Sequence, residues 1–166
     1  MYQRDSRNKD TIIFLHENAG NIGLRLDYFE LIYNKLDVNI VCVAYRGYSR
    51  SEGTPDEEGI MLDAHAMIDY CKKEQRINQN RVFLLGRSLG GAVGIHLCAA
   101  LDRADDNFLK GIIIENTFTS ICDMADALFS FLRLIPRLKR RMLRLRWESI
   151  NQIEHIKKPI FLISGD

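Results

Sequence analysis

The sequence predicts an α/β fold: a parallel sheet covered by helices on both faces. Three observations carry this. Five short runs (Thr11–His16, Asn39–Tyr45, Val82–Leu85, Lys110–Glu115 and Pro159–Ser164) are continuously apolar rather than alternating, as strands buried on both faces are. Stretches with helical spacing separate them, so strands and helices alternate along the chain. Third, the chain turns sharply at Gly86-Arg87-Ser88-Leu89-Gly90, a G-x-S-x-G pentapeptide set between an apolar run and a small-residue helical segment, Gly91–Ala100.

Each element has its own reason. Residues 1–10 are polar and predicted irregular. The first strand ends at His16 and gives way to a turn-rich loop, Glu17-Asn18-Ala19-Gly20-Asn21. Leu24, Tyr28, Leu31, Ile32 and Leu36 recur at helical spacing and predict a helix. A second helix is expected to start at Thr54-Pro55-Asp56-Glu57, with Thr54 as cap, Pro55 in the first helical position and Glu57 closing a capping box; it runs to about Glu74. Between the fourth and fifth strands lies a helical insertion, residues 119–156, interrupted by Pro136.

Composition narrows the class. The 166 residues, 46% hydrophobic and 27% charged, form at most one domain, residues 1–166. A net charge of +1 gives no global electrostatic case for nucleic acid. The four cysteines are widely spaced, mostly within apolar runs, and suggest buried thiols and a reducing compartment rather than disulfides or zinc. No apolar run approaches the roughly 20 residues of a membrane span, and no signal peptide is evident. The chain halts one residue after Gly165, leaving an apolar strand at the edge of its sheet, and is read as a domain truncated at its C-terminus.

The pentapeptide carries the chemistry. To expose a hydroxyl at the apex of a strand-to-helix turn, Ser88 takes strained backbone angles. The positions two before and two after then face neighbouring backbone, so Gly86 and Gly90 lack side chains, and Gly91 permits close helix–sheet packing. The bland alternative is a glycine-rich turn with an incidental serine.

Taken with His16 to Gly23, Tyr45-Arg46-Gly47-Tyr48, Ser51-Glu52-Gly53, Glu115 to Ile121, Trp147, Pro159 and Ser164-Gly165, the chain resembles the α/β hydrolases, and more narrowly the bud-emergence-protein homologues, the group that includes α/β-hydrolase domain-containing protein 13. The resemblance implies that the five strands are the third to seventh of eight. It implies a serine hydrolase of the carboxylesterase or acyl-thioesterase type. Ser88 would be the nucleophile, and the backbone amides of Asn18 and Leu89 the oxyanion hole. The substrate would be an ester or thioester, lipid-like or an S-acylated protein, with no metal or organic cofactor. Glu17 stands where many members carry glycine, and its carboxylate is compatible with an oxyanion site only if it points away.

The remaining catalytic groups are not found in the chain. The family's acid lies three residues after the glycine that closes the seventh strand, here Gly165, and its histidine follows the eighth strand. Asp166 is one residue beyond Gly165, and Glu115 is a remote substitute. His16 reads as a hydrogen-bonded loop organiser, His65 lies mid-helix, His96 reads as a satisfied core residue, and His155 precedes the fifth strand. The fragment alone is expected to turn over little. Alternatives are a serine peptidase of the prolyl-peptidase type and a non-catalytic pseudo-hydrolase used for binding.

From Ala127 to Trp147 the insertion has no acidic residue and seven basic ones, Arg133, Arg137, Lys139, Arg140, Arg141, Arg144 and Arg146, among leucines and aromatics. It reads either as a helical lid with a solvated basic face or as a cationic amphipathic lid, Arg137, Lys139, Arg140, Arg141 and Arg144 meeting an anionic membrane. The expected location is cytoplasmic or membrane-associated. Nucleic acid is not expected, because no recognition fold accompanies the charge.

Overall fold

A computed structural model describes residues 9–19, 22–122 and 145–165. Five parallel strands form one sheet in the order β2-β1-β3-β4-β5: β1 Thr11–Leu15, β2 Asn39–Cys42, β3 Val82–Arg87, β4 Leu109–Glu115 and β5 Ile160–Ile163. Helices α1 (Leu26–Leu36, after a 3-10 turn at Ile22–Arg25), α2 (Glu57–Lys73), α3 (Leu89–Arg103) and the single turn α4 (Ile150–Ile153) complete the described elements. The α/β class stands.

The unbroken apolarity of the strands has a direct explanation. Successive side chains alternate faces, and each face has its own core. Ile12 and Phe14 of β1 join Phe29, Val38, Ile40 and Leu85 under α1, where the Phe14 and Phe29 rings meet edge to face at 4.9 Å. Ile13 and Leu15 point the other way, into the larger core that α2 and α3 close with Ile60, Ala64, Leu97 and Cys98. Burial pushes the Cys98 and Cys71 thiols up to about 12, so both stay protonated and unreactive.

The helix predicted from Leu24 to Leu36 is present as α1, and the predicted start of α2 is corrected. In α1 the buried side chain is Phe29, with Tyr28, Ile32 and Tyr33 packed beside it, while Leu24, Leu31 and Leu36 are largely exposed. Phe14 selects the aromatic stripe rather than the leucines. In α2 the cap is Asp56, whose carboxylate accepts the Gly59 N–H at 2.7 Å. Thr54 and Pro55 lie outside the helix because Pro55 packs on Gly47, which has φ +74 and where any Cβ would stand 2.5 Å from the proline ring. Glu57, relieved of the capping box, accepts backbone N–H groups of Arg146 and, at 3.1 Å, Trp147.

The two ends of the insertion are joined. Ile121 N–H donates to Arg146 O at 2.9 Å and Ile150 N–H to Thr119 O at 3.2 Å, and Trp147 is wholly buried with its ring edge-on to His96 at 5.1 Å. The body of the insertion, including Pro136 and every basic residue named above except Arg146, lies outside the described residues, as do Gly20, Asn21 and Asp166. β5 is an edge of the described sheet, with Phe161 63% and Leu162 64% exposed. No helix among the described residues is long and apolar enough to cross a membrane.

Candidate active site

Strand order locates the site. From β1 the chain passes to one side of the sheet to make β2, then crosses to β3 on β1's other side, so the order reverses between β1 and β3. The connections leaving two such strands diverge to opposite faces and open a crevice at their C-terminal ends. The register aligns those ends: Leu15 beside Gly86, Arg87 beside Glu115, Glu115 beside Ile163. Ser88 leaves β3 and Asn18 leaves β1 at this crevice.

Ser88 sits at the corner between β3 and α3 with φ 50° and ψ −115°, a combination costly to any residue with a Cβ. Its surroundings enforce those angles. A Cβ on Gly86 would lie 2.3 Å from Gly90 O, one on Gly90 1.9 Å from Leu15 O, and one on Gly91 2.6 Å from Thr117 Cβ. Both backbone groups of Ser88 are tied as well. Its N–H donates to Glu115 O at 2.9 Å, while its carbonyl accepts from Gly91 N–H and the Thr117 hydroxyl, each at 2.9 Å. The half-buried Ser88 hydroxyl makes no hydrogen bond among the described residues.

The loop after β1 is held differently. The His16 ring lies 4.2 Å from that of Tyr45 and is 4% exposed. Its Nδ1 donates to Glu17 O at 2.8 Å, and Nε2 accepts the Tyr45 N–H at 3.3 Å. Donation from one nitrogen and acceptance at the other require the neutral imidazole. Burial enforces it, pulling the pKa down to about 4. Because C=O and N–H of one trans peptide point opposite ways, tying Glu17 O inward turns the Asn18 N–H outward. The Asn18 side chain accepts from the Tyr48 hydroxyl at 2.6 Å. Neither the Asn18 nor the Leu89 amide is engaged by a hydrogen bond among the described residues. Glu17 is buried and ion-paired with Arg25, which sets the direction of its carboxylate.

Ser88, Leu89, Gly86 and Gly90 are thus gathered at one corner, and Gly90 brings the Leu15 and His16 carbonyls, and with them the loop of Asn18, against it. The histidines are not gathered there. His16 is occupied at both nitrogens, His155 is exposed, and His65 lies within α2. His96 is corrected: it is half-buried against Trp147, but its Nε2 and the Trp147 Nε1 have no hydrogen-bond partner among the described residues. Glu115 is occupied by the Tyr28 hydroxyl at 3.0 Å, with Arg87 3.7 Å away. The groups that sequence reasoning left without a role are Thr117, Tyr48 and Arg25. Their partners lie 29 residues away for Thr117 and 30 for Tyr48, beyond any local pattern.

Comparison with known proteins identifies the family and the fold. Residues 7–159 match the Hydrolase_4 family profile, described as serine aminopeptidase, S33. The α/β-hydrolase domain-containing protein WAV2 of Arabidopsis thaliana is 40% identical over 93% of this chain and 52% of its own length. Protein bem46 of Schizosaccharomyces pombe is 34% identical over the whole of this chain and 54% of its own. The chain therefore spans about half the length of these curated relatives. Among solved structures, an α/β hydrolase from Vibrio vulnificus superposes with a TM-score of 0.78 at 20% identity, covering 92% of this chain and 55% of that one. A hyperthermophilic esterase from the archaeon Pyrobaculum calidifontis gives 0.60 at 15%, covering 70% and 38%. The chain belongs to the Hydrolase_4 family of α/β hydrolases, with its curated relatives in the bud-emergence branch.

Proposed function

We propose that the protein bearing this chain is a serine hydrolase of ester or thioester bonds, with Ser88 as nucleophile. The observation that carries the reading is the Ser88 corner, a strained φ/ψ pair that three surrounding glycines exist to permit. The Ser88 hydroxyl attacks the acyl carbonyl and passes its proton to a histidine base, and the carbonyl oxygen takes up the negative charge. The amides of Asn18 and Leu89 hold that charge, which is why neither is spent on an internal bond. Collapse expels the alcohol or thiol with the histidine's proton, and water then releases the acid from the acyl-enzyme. The histidine and its orienting carboxylate belong to parts of the protein outside this chain.

A second reading, a serine peptidase, is favoured by the description of the matching family as a serine aminopeptidase. The chemistry at Ser88 is the same, and only the leaving group differs.

The test uses the full-length protein and a fluorophosphonate, which reacts with activated serines. Labelling is expected at Ser88, and Ser88→Ala is expected to abolish it and to lower hydrolysis of p-nitrophenyl butyrate by about 10⁵-fold. Hydrolysis of an acyl-thioester in preference to an aminoacyl-anilide sustains the first reading, and the reverse order the second. Labelling undiminished in the alanine variant removes Ser88 from both.

A further inference from the structure

Three consecutive residues at the end of β4 hold more of the crevice than their sequence suggests. Glu115 O accepts the Ser88 N–H, and the Thr117 hydroxyl donates to Ser88 O, so this segment fixes both backbone groups of the corner. The residue between them, Asn116, faces the other way. Its N–H donates to Ile163 O at 2.9 Å, and its side-chain Oδ1 accepts the Gly165 N–H at 2.8 Å. Asn116 has φ +46°, in the left-handed region that asparagine tolerates better than most residues. That kink lets its neighbours on either side reach Ser88 while its own amide reaches across β5 to the turn beyond. The two ends of the brace need different chemistry. The Ser88 side uses a carbonyl and a hydroxyl, and the β5 side needs a side-chain acceptor at a left-handed position, which an apolar or β-branched residue could not supply.

We propose that Asn116 is a positioning residue that sets the turn leaving β5 in register with the Ser88 corner. This rests on the hydrolase reading above together with the family resemblance, which implies that the carboxylate orienting the catalytic histidine follows Gly165. A carboxylate that must meet a histidine within hydrogen-bond reach is sensitive to small displacements of the turn that carries it. The Gly165 backbone, approached by the Asn116 amide to 3.8 Å of where a Cβ would stand, is the last described point on that path.

The test is made in the full-length protein with p-nitrophenyl butyrate. Asn116→Gly keeps the positive φ at no steric cost and removes only the acceptor, so it separates the brace from the fold. Its kcat is expected to fall about 10- to 100-fold with KM within about threefold. The acidic limb of its kcat/KM profile should move to lower pH, because a histidine less well met by its carboxylate gives up its proton more easily. Amide exchange at Gly165 should quicken while that of Leu85 and Gly86 does not. Asn116→Asp, which tolerates the same φ and offers an oxygen in the same place, is expected to recover most of kcat. An Asn116→Gly protein with wild-type kcat and pH limb overturns the proposal, as does an Asp variant no better than Gly. Failure of the underlying hydrolase reading appears separately, as a wild-type protein that the fluorophosphonate does not label or a Ser88→Ala variant that still turns over.

Discussion

Two backbone segments face each other across the crevice, and they are built on opposite principles. The corner after β3 is shaped by what is missing: at Gly86, Gly90 and Gly91 a single carbon would lie 1.9 to 2.6 Å from atoms already present. The loop after β1 is shaped by side chains that are present, with His16, Tyr48 and Arg25 each engaging one loop residue. A steric device has no proton to lose and no charge to screen, but it fails when any atom is added. A polar device tolerates changes of volume, yet its geometry follows the protonation of its members. The corner is therefore predicted to be indifferent to pH and intolerant of substitution, and the loop the reverse.

The largest effect that would break this contrast is expected at Gly90. Gly90→Ala places a carbon 1.9 Å from Leu15 O and 2.9 Å from His16 O, both backbone atoms that cannot rotate away. Either β1 or the first turn of α3 must shift, and the two are locked in one sheet and core. A loss of at least about 4 kcal/mol is expected, in the range reserved for direct backbone conflict, read as urea midpoint or as insolubility on expression. A Gly90→Ala protein within 1 kcal/mol of wild type would show that the corner is not sterically determined.

This contrast also sets what could be read from the amino-acid sequence. Steric devices leave a mark: glycines at positions 86, 90 and 91 around a serine are visible because only glycine fits, and the strands are visible because burial on both faces leaves no room for polar alternation. Polar devices leave little mark. That Tyr48 serves Asn18, or Thr117 the Ser88 carbonyl, depends on a strand order that no local spacing encodes. Local rules also failed where a tertiary contact outbid them. Thr54-Pro55 has the form of a helix start, but Pro55 is held by Gly47 and the cap falls to Asp56. The apolar period at Leu24–Leu36 did predict α1, although the side chain buried there against Phe14 is Phe29.

The next effect in size sharpens the other half of the comparison. His16 in the folded protein has its pKa drawn from 6.5 to about 4 by burial. The unfolded chain therefore binds the proton more readily than the folded one, and folding stability must fall as pH drops from about 6.5 toward 4. Above 6.5 the contribution is fully present; below about 4 it is gone, for a total on the order of 3 kcal/mol. The measurement is the urea midpoint between pH 7.5 and 4 for wild type and His16→Gln, whose amide can still donate to Glu17 O but does not titrate. The wild type should lose more than the variant across that window. Parallel curves would show that His16 does not hold the loop in its neutral form.

The smallest effect is the one that distinguishes strain from mere tightness at the corner. Ser88 at φ 50°, ψ −115° carries a backbone cost of about 1–3 kcal/mol that glycine would not. Against this, glycine loses more conformational freedom on folding, about 0.5–1 kcal/mol. Ser88→Gly should therefore gain about 1 kcal/mol, read as a raised thermal midpoint, while Ser88→Ala, which keeps a Cβ and hence the strain, should stay near wild type. The ordering matters more than the size: glycine above both serine and alanine means the cost resides in the backbone conformation, whereas alanine rising with glycine would place it in the hydroxyl's surroundings. A glycine variant more stable than the wild type would show that the backbone conformation at position 88 does not serve stability, in keeping with the nucleophile proposed for this corner.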